Sequence, residues 1–133
     1  MYPQHRNSDD NMGITSAKTP TSEATTYEKW IKKLGSGWSA APSVQIIVDN
    51  SLIVMSANHI YNLDLNTCDI LQTGDMVAAT NFGYTPPTYA DGMIFVALRT
   101  GNIQAFHAKT LESLWVYQAR TFVMPAAAMQ YEN

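Results

Sequence analysis

The chain has 133 residues, 46% of them hydrophobic and 14% charged, with a formal net charge of -3. That length holds one domain with a packed core, and the acidic balance excludes the clustered basic footprint of a nucleic-acid binder. A single cysteine, Cys68, excludes an intrachain disulfide scaffold, and no apolar run nears the roughly 18 residues of a membrane span.

Residues 1–27 read as an irregular polar arm. They are rich in Thr, Ser and Asn, and Pro3, Gly13 and Pro20 break any periodicity. The opening MYPQHRNSDD lacks the apolar core of a signal peptide. The next segment, Glu28 to Leu34, alternates Trp30, Lys32 and Leu34 against Ile31 and Lys33, which predicts a strand. Lys29, Lys32 and Lys33 are the closest group of cations and read as a solvated face. Gly35-Ser36-Gly37 then ends the segment.

From Pro42 a pattern occurs twice and begins a third time. The first copy runs from PSVQIIVDN through SLIVMS to HIYNLDLNTCDIL, the second from PPTYADG through MIFVAL to NIQAFHAKTLESLW, and PAAAMQYEN opens a third at Pro125. The turn signals Asp49-Asn50, Asp91-Gly92 and Glu132-Asn133 recur at about 42 residues. In the first copy the predicted strands are 44–48, 51–56, 60–65 and a fourth starting at 69–72. In the second, 88–90 leads into 93–98, 103–108 and 113–118. Asp-Gly between β-rich runs predicts a hairpin, because both residues tolerate the positive φ of primed turns. SLIVMS and MIFVAL are apolar on both faces, as expected of a sheet covered on both sides. Several short strands per period of roughly 40–45 residues mark a propeller blade. A ring needs at least about four blades, so two whole copies read as a fragment.

The second copy, TPPTYADGMIFVALRTGNIQAFHAKTLESLWVY, resembles the repeat of pyrroloquinoline-quinone-like β-propellers: a D-G turn, a strand, a G-N turn, an "ALD" strand and a T-G-x-x-x-W closing strand. The first copy matches at Asp49-Asn50, Tyr61-Asn62-Leu63-Asp64 and Thr67-Cys68-Asp69. Aligning Thr67 with Thr110 puts Cys68 and Leu111 where the family usually has Gly, and Gln72 opposite Trp115. The resemblance implies an all-β partial propeller of about two four-stranded antiparallel blades with a polar N-terminal arm. Residues 1–27 are then the arm and 28–133 the propeller part, with repeats at 42–72 and 86–118 and an incomplete third from 125. The superfamily includes quinone-dependent dehydrogenases, a scaffold lipoprotein of outer-membrane assembly and many bacterial surface proteins. Its enzymes carry a vicinal cysteine pair, acidic metal ligands and a catalytic Asp, and no segment of this chain resembles that site.

Other motifs fall short of chemistry. Gly35 to Ala40 fits G-x-G-x-x-A, but Pro42 stands where the phosphate-binding helix would start. Gly37-Trp38-Ser39-Ala40-Ala41 misses the last Gly of a nucleophile elbow. Ser8-Asp9-Asp10-Asn11 lacks the Gly and Glu of a calcium loop. His5, His59 and His107 share no metal-ligand spacing. Trp30, Trp38 and Trp115 read as core, since in this repeat the Trp packs between blades. Cys68 reads as an inert thiol. No catalytic, cofactor-binding or metal residue is therefore assigned, and no cofactor.

The expectation is a non-enzymatic binding or scaffold module of a bacterial exported or cell-surface protein. The alternatives are a fragment of a quinone-dependent dehydrogenase whose cofactor site lies outside this chain, and a self-assembling structural protein. The resemblance implies an extracytoplasmic location. Partners are expected to be proteins or further copies of the chain. They would pair through open blade edges and through faces such as Leu52, Val54, Ile94 and Val96.

Overall fold

The computed structural model describes residues 18, 20–37, 40–79 and 86–118. The third copy at Pro125, Trp38, His5 and the Ser8–Asn11 loop lie outside them.

Among the described residues, eight strands form two antiparallel sheets of four. The first holds β1 (Ile46–Val48), β2 (Ser51–Ser56), β3 (His59–Asp64) and β4 (Ile70–Asp75) in sequence order. The second holds β5 (Thr88–Ala90), β6 (Met93–Ala97), β7 (Asn102–His107) and β8 (Ser113–Gln118) in the same order. Each predicted strand from Ser51 onward is present, with ends moved by one or two residues, and β4 runs on to Asp75. A short 3-10 turn, Glu23–Thr25, interrupts the arm.

The two copies repeat one another bond for bond. The amide of Cys68 donates to Asp64 O at 2.8 Å, and that of Leu111 donates to His107 O at 2.9 Å. Leu65 N–H reaches Asn50 O, and Ala108 N–H reaches Gly92 O. A bulge falls between Asn62 and Leu63 in one copy and between Ala105 and Phe106 in the other. Cys68 (φ 63) and Leu111 (φ 55) hold the left-handed conformation that favours glycine. The turn survives without glycine because both side chains are buried, and that burial offsets the roughly 1–2 kcal/mol cost of the left-handed backbone. At Asp91-Gly92 both φ values are positive, as a type I′ hairpin requires.

Asp64 caps its turn, with Oδ1 accepting from Asn66 N at 2.8 Å and Thr67 N at 2.9 Å. His107 does the same work in the second copy, its Nδ1 accepting from the amides of Lys109 and Thr110. The Thr67 amide, then that of Asn66, holds the Asp64 carboxyl below its ordinary value of 3.8. A depressed folded value stabilises the turn above the unfolded pKa, and the effect is lost as pH falls through the folded one. An NMR titration should therefore place the Asp64 carboxyl midpoint below 3.8, with the Asn66 and Thr67 amides shifting at the same midpoint.

Three expectations need correction. Residues 28–34 are not a strand. They cross the outer face of the first sheet, where Trp30 and Leu34 pack on Val54, Leu63 and Cys68. The Trp30 indole N–H donates to Leu65 O at 3.2 Å. The predicted alternation holds, with Trp30 and Leu34 inward and Ile31 exposed. Burial against a sheet face has taken the place of a ladder. Secondly, β1 starts at Ile46 rather than Val44. The Ser43 hydroxyl accepts from Met55 N at 3.0 Å while Ser43 N donates to Met55 O, so a side chain takes a place in the ladder. Thirdly, the faces of Val54, Ile94 and Val96 are not open. Val54 lies under the N-terminal segment, and the other two are buried in a shared core.

That core joins the sheets. Ile46, Ile53, Met55 and Ile60 from the first sheet meet Ile94, Val96, Leu98 and Phe106 from the second. Buried Gln104 bridges the seam. Its Oε1 accepts from Val77 N at 2.9 Å, and its Nε2 donates to Asp75 O at 3.2 Å and Ser113 Oγ at 2.9 Å.

Candidate functional site

Two features stand out, a crevice between the sheets and an uncovered apolar surface on the second. The crevice follows from register. Asn62 on β3 stands opposite Gln72 on β4, on the face that looks toward the second sheet. At this end the turns 49–50 and 108–109 border a cavity of about 500 Å³. Apolar Val48, Ile53, Leu71 and Tyr89 share its walls with polar Asp49, Asn62, Gln72, His107 and Lys109, and Gln72 is exposed. Asn62 is only 5% exposed, and its Oδ1 has no hydrogen-bond partner.

The apolar surface lies on β8. Leu114, Trp115, Val116 and Tyr117 are each 43–60% exposed. The Trp115 ring rests against Phe95, with centroids 5.9 Å apart and planes tilted by 50°. Ala105 stands opposite Trp115, and Ile103 opposite Tyr117. Trp115 and Tyr117 stand on the face turned away from the first sheet, and Val116, opposite Gln104, lies on the other face.

The residues singled out from the sequence are dispersed. His59 Nδ1 lies 2.8 Å from Asp75 Oδ1 in a solvent-facing pair. His107 caps a turn. Cys68 is buried, and that burial pushes its thiol up from the ordinary value, against the opposing pull of Lys32. Residues 41–45, after the G-x-G-x-x-A stretch, carry no helix. Among the described residues no three His, Cys, Asp or Glu side chains gather where a metal could sit, and no helix is long and apolar enough to cross a membrane. Sequence reasoning passed over Asn62 and Gln104. The one signal it held for the crevice was Gln72 opposite Trp115.

No protein-family model matches the sequence, and no curated protein does. Solved structures do match in fold. The chain is similar to BamB from Moraxella catarrhalis at 20% identity and a TM-score of 0.53, covering 68% of this chain and 26% of that one. It is also similar to a europium-containing methanol dehydrogenase at 22% identity and a TM-score of 0.54, covering 74% of this chain and 21% of that one. The chain thus spans about a quarter of the length of the structures it matches. Its fold is that of part of a β-propeller, two stacked blades of four antiparallel strands.

Proposed function

We propose that the chain is a piece of a non-enzymatic binding or scaffold propeller, working outside the bacterial cytoplasm. In this reading residues 1–27 are an arm and 28–133 the propeller part, with a third blade opening at Pro125. The observation that carries the reading is the exposed pair Trp115 and Tyr117 beside Phe95, on the face turned away from the first sheet. A sheet face of this kind is built to be covered by another sheet. Burying about 400 Å² of apolar surface at roughly 25 cal/mol/Å² contributes on the order of 10 kcal/mol. That is large enough to drive association after its entropic cost, estimated at about 4–15 kcal/mol.

The partner is a β-rich surface, either a following blade or a second copy of the chain. Sedimentation of the isolated chain should show concentration-dependent self-association. Trp115→Lys with Tyr117→Lys should return it to monomer, since two charges on the face cannot be buried unpaired. A parent chain that stays a sharply melting monomer at all concentrations would refute this reading.

The likeness to a methanol dehydrogenase supports a second reading, a fragment of a quinone-dependent dehydrogenase whose cofactor site lies outside this chain. The coding sequence downstream of Asn133 separates the two. Further blades with a vicinal cysteine pair and acidic metal ligands favour the enzyme, and further blades without them favour the scaffold.

A further inference from the structure

The two sheets of this chain already show how one seats on another. Ile94, Val96 and Phe106 of the second sheet pack with Ile53, Met55 and Ile60 of the first. Aligning the copies puts Leu52, Val54 and Leu63 where the second has Ile94, Val96 and Phe106. The register agrees, since Leu52 stands opposite Leu63 and Ile94 opposite Phe106. The outer face of the first sheet is therefore of the kind that seats on a neighbour. The alignment also puts Phe95, Ala97 and Ile103 where the first copy has Ile53, Met55 and Ile60. That receiving surface is the one on which Trp115 and Tyr117 stand, 44% and 60% exposed. The chain thus carries one face of each kind.

The outer face of the first sheet is covered, but loosely. Residues 28–34 belong to neither sheet. Trp30 and Leu34 are only half-buried there, and Tyr27 and Ile31 are 82% and 76% exposed. A gap of about 320 Å³ lies between the segment and Leu52, Val54 and Leu63. The Trp30 indole and the Lys29 ammonium donate to Leu65 O at 3.2 and 3.4 Å, and Lys29 also donates to Asn66 Oδ1 at 3.0 Å. In the seat between the sheets, by contrast, Ile94, Val96 and Phe106 are fully enclosed.

We propose that the outer face of the first sheet docks the Trp115 face of a second copy, head to tail, and that residues 28–34 are a removable cover that holds this association in check. This rests on the reading that the Trp115 face drives association, and it names the surface that receives it. Tyr117 stands where the first sheet has Gly74, so the docked sheets stand further apart at that corner than the two within the chain. Docking is weakened in proportion to the small fraction of chains whose cover is open. Because the contact joins two different faces, it does not close after two copies.

Cys68, the one cysteine of the chain, is buried beneath the cover and reports on it. In the unaltered chain, thiol labelling of Cys68 should slow as concentration rises, because a docked partner takes the place of a cover that opens. Sedimentation of Trp30→Ser with Leu34→Ser should show association at least about tenfold tighter, with growth beyond the dimer. Adding Trp115→Lys and Tyr117→Lys should return that variant to monomer, with Cys68 freely labelled. The labelling of the unaltered chain decides the matter even if the variants misfold. Self-association of the unaltered chain with no change in Cys68 labelling would overturn the head-to-tail assignment and leave association through the Trp115 face standing. So would a folded Trp30→Ser, Leu34→Ser chain that stops at a dimer. A parent chain that is monomeric at every concentration would remove both.

Discussion

Gln104→Glu is expected to destabilise the folded chain by about 3–5 kcal/mol at neutral pH, the range for an uncompensated buried charge. The Gln104 side chain is fully enclosed at the seam between the sheets. Its Nε2 is the donor to Asp75 O and Ser113 Oγ. A carboxylate there would turn that donor into a second acceptor facing Asp75 O, and would bury a charge with no cation beside it. Gln104→Leu keeps the volume and loses three hydrogen bonds, so it should cost less, about 2–3 kcal/mol. The pH dependence separates the two variants. A buried glutamate has its folded pKa raised above the unfolded value of about 4.3. Its variant therefore keeps most stability below that value and loses it as pH rises through the folded pKa. Gln104→Leu should show no such added dependence. Urea melts of both variants between about pH 4 and pH 8 would test this, and equal, pH-independent losses would refute it.

Gly74→Ala should cost about 2–3 kcal/mol, the upper part of the range for overpacking a filled core. A Cβ at position 74 would sit 2.6 Å from the carbonyl oxygen of Leu111 and 3.0 Å from Ile60 Cγ2. The closest obstacle is backbone, in a turn pinned by the bond from Leu111 N to His107 O, so the sheets themselves would have to part. Truncating Leu111 to alanine removes none of these contacts, because the one at 3.2 Å is to its Cβ. Leu111→Ala should therefore fail to rescue Gly74→Ala, and the double variant should be no more stable than Gly74→Ala alone. Substantial rescue in the double variant would show that the clash is with the side chain instead.

Most of the strand map was legible in the sequence because its signals are local. Asp49-Asn50 and Asp91-Gly92 announce hairpins through backbone φ alone. The apolar run SLIVMS became β2 for the reason expected, burial from both sides, where Ile53 faces one cluster and Val54 the other. MIFVAL, in contrast, became β6 with only Ile94 and Val96 fully buried and its other face half-buried. The equivalence of Asp64 and His107 also came from alignment of the copies. The structure gives it a meaning, since each side chain accepts two amides of the same turn. The sequence missed how residues 28–34 are used. Their alternation told which side chains point inward, and could not tell a sheet edge from a sheet face.

The sequence by itself determined the period, the hairpins, the four strands of each copy and the one position, Gln72, where the repeat lacks its ring. Those depend on φ preferences and on side-chain alternation within a few residues. Tertiary structure alone decided which faces meet. Gln104 is a polar residue in a strand until Val77, Asp75 and Ser113 surround it. Gly74 is one glycine among seven until the Leu111 turn lands on it. Asn62 is an ordinary polar position until the neighbouring sheet encloses it and leaves its carbonyl unpaired. Such properties belong to pairs of groups far apart in sequence, and they come into being only when the sheets stack.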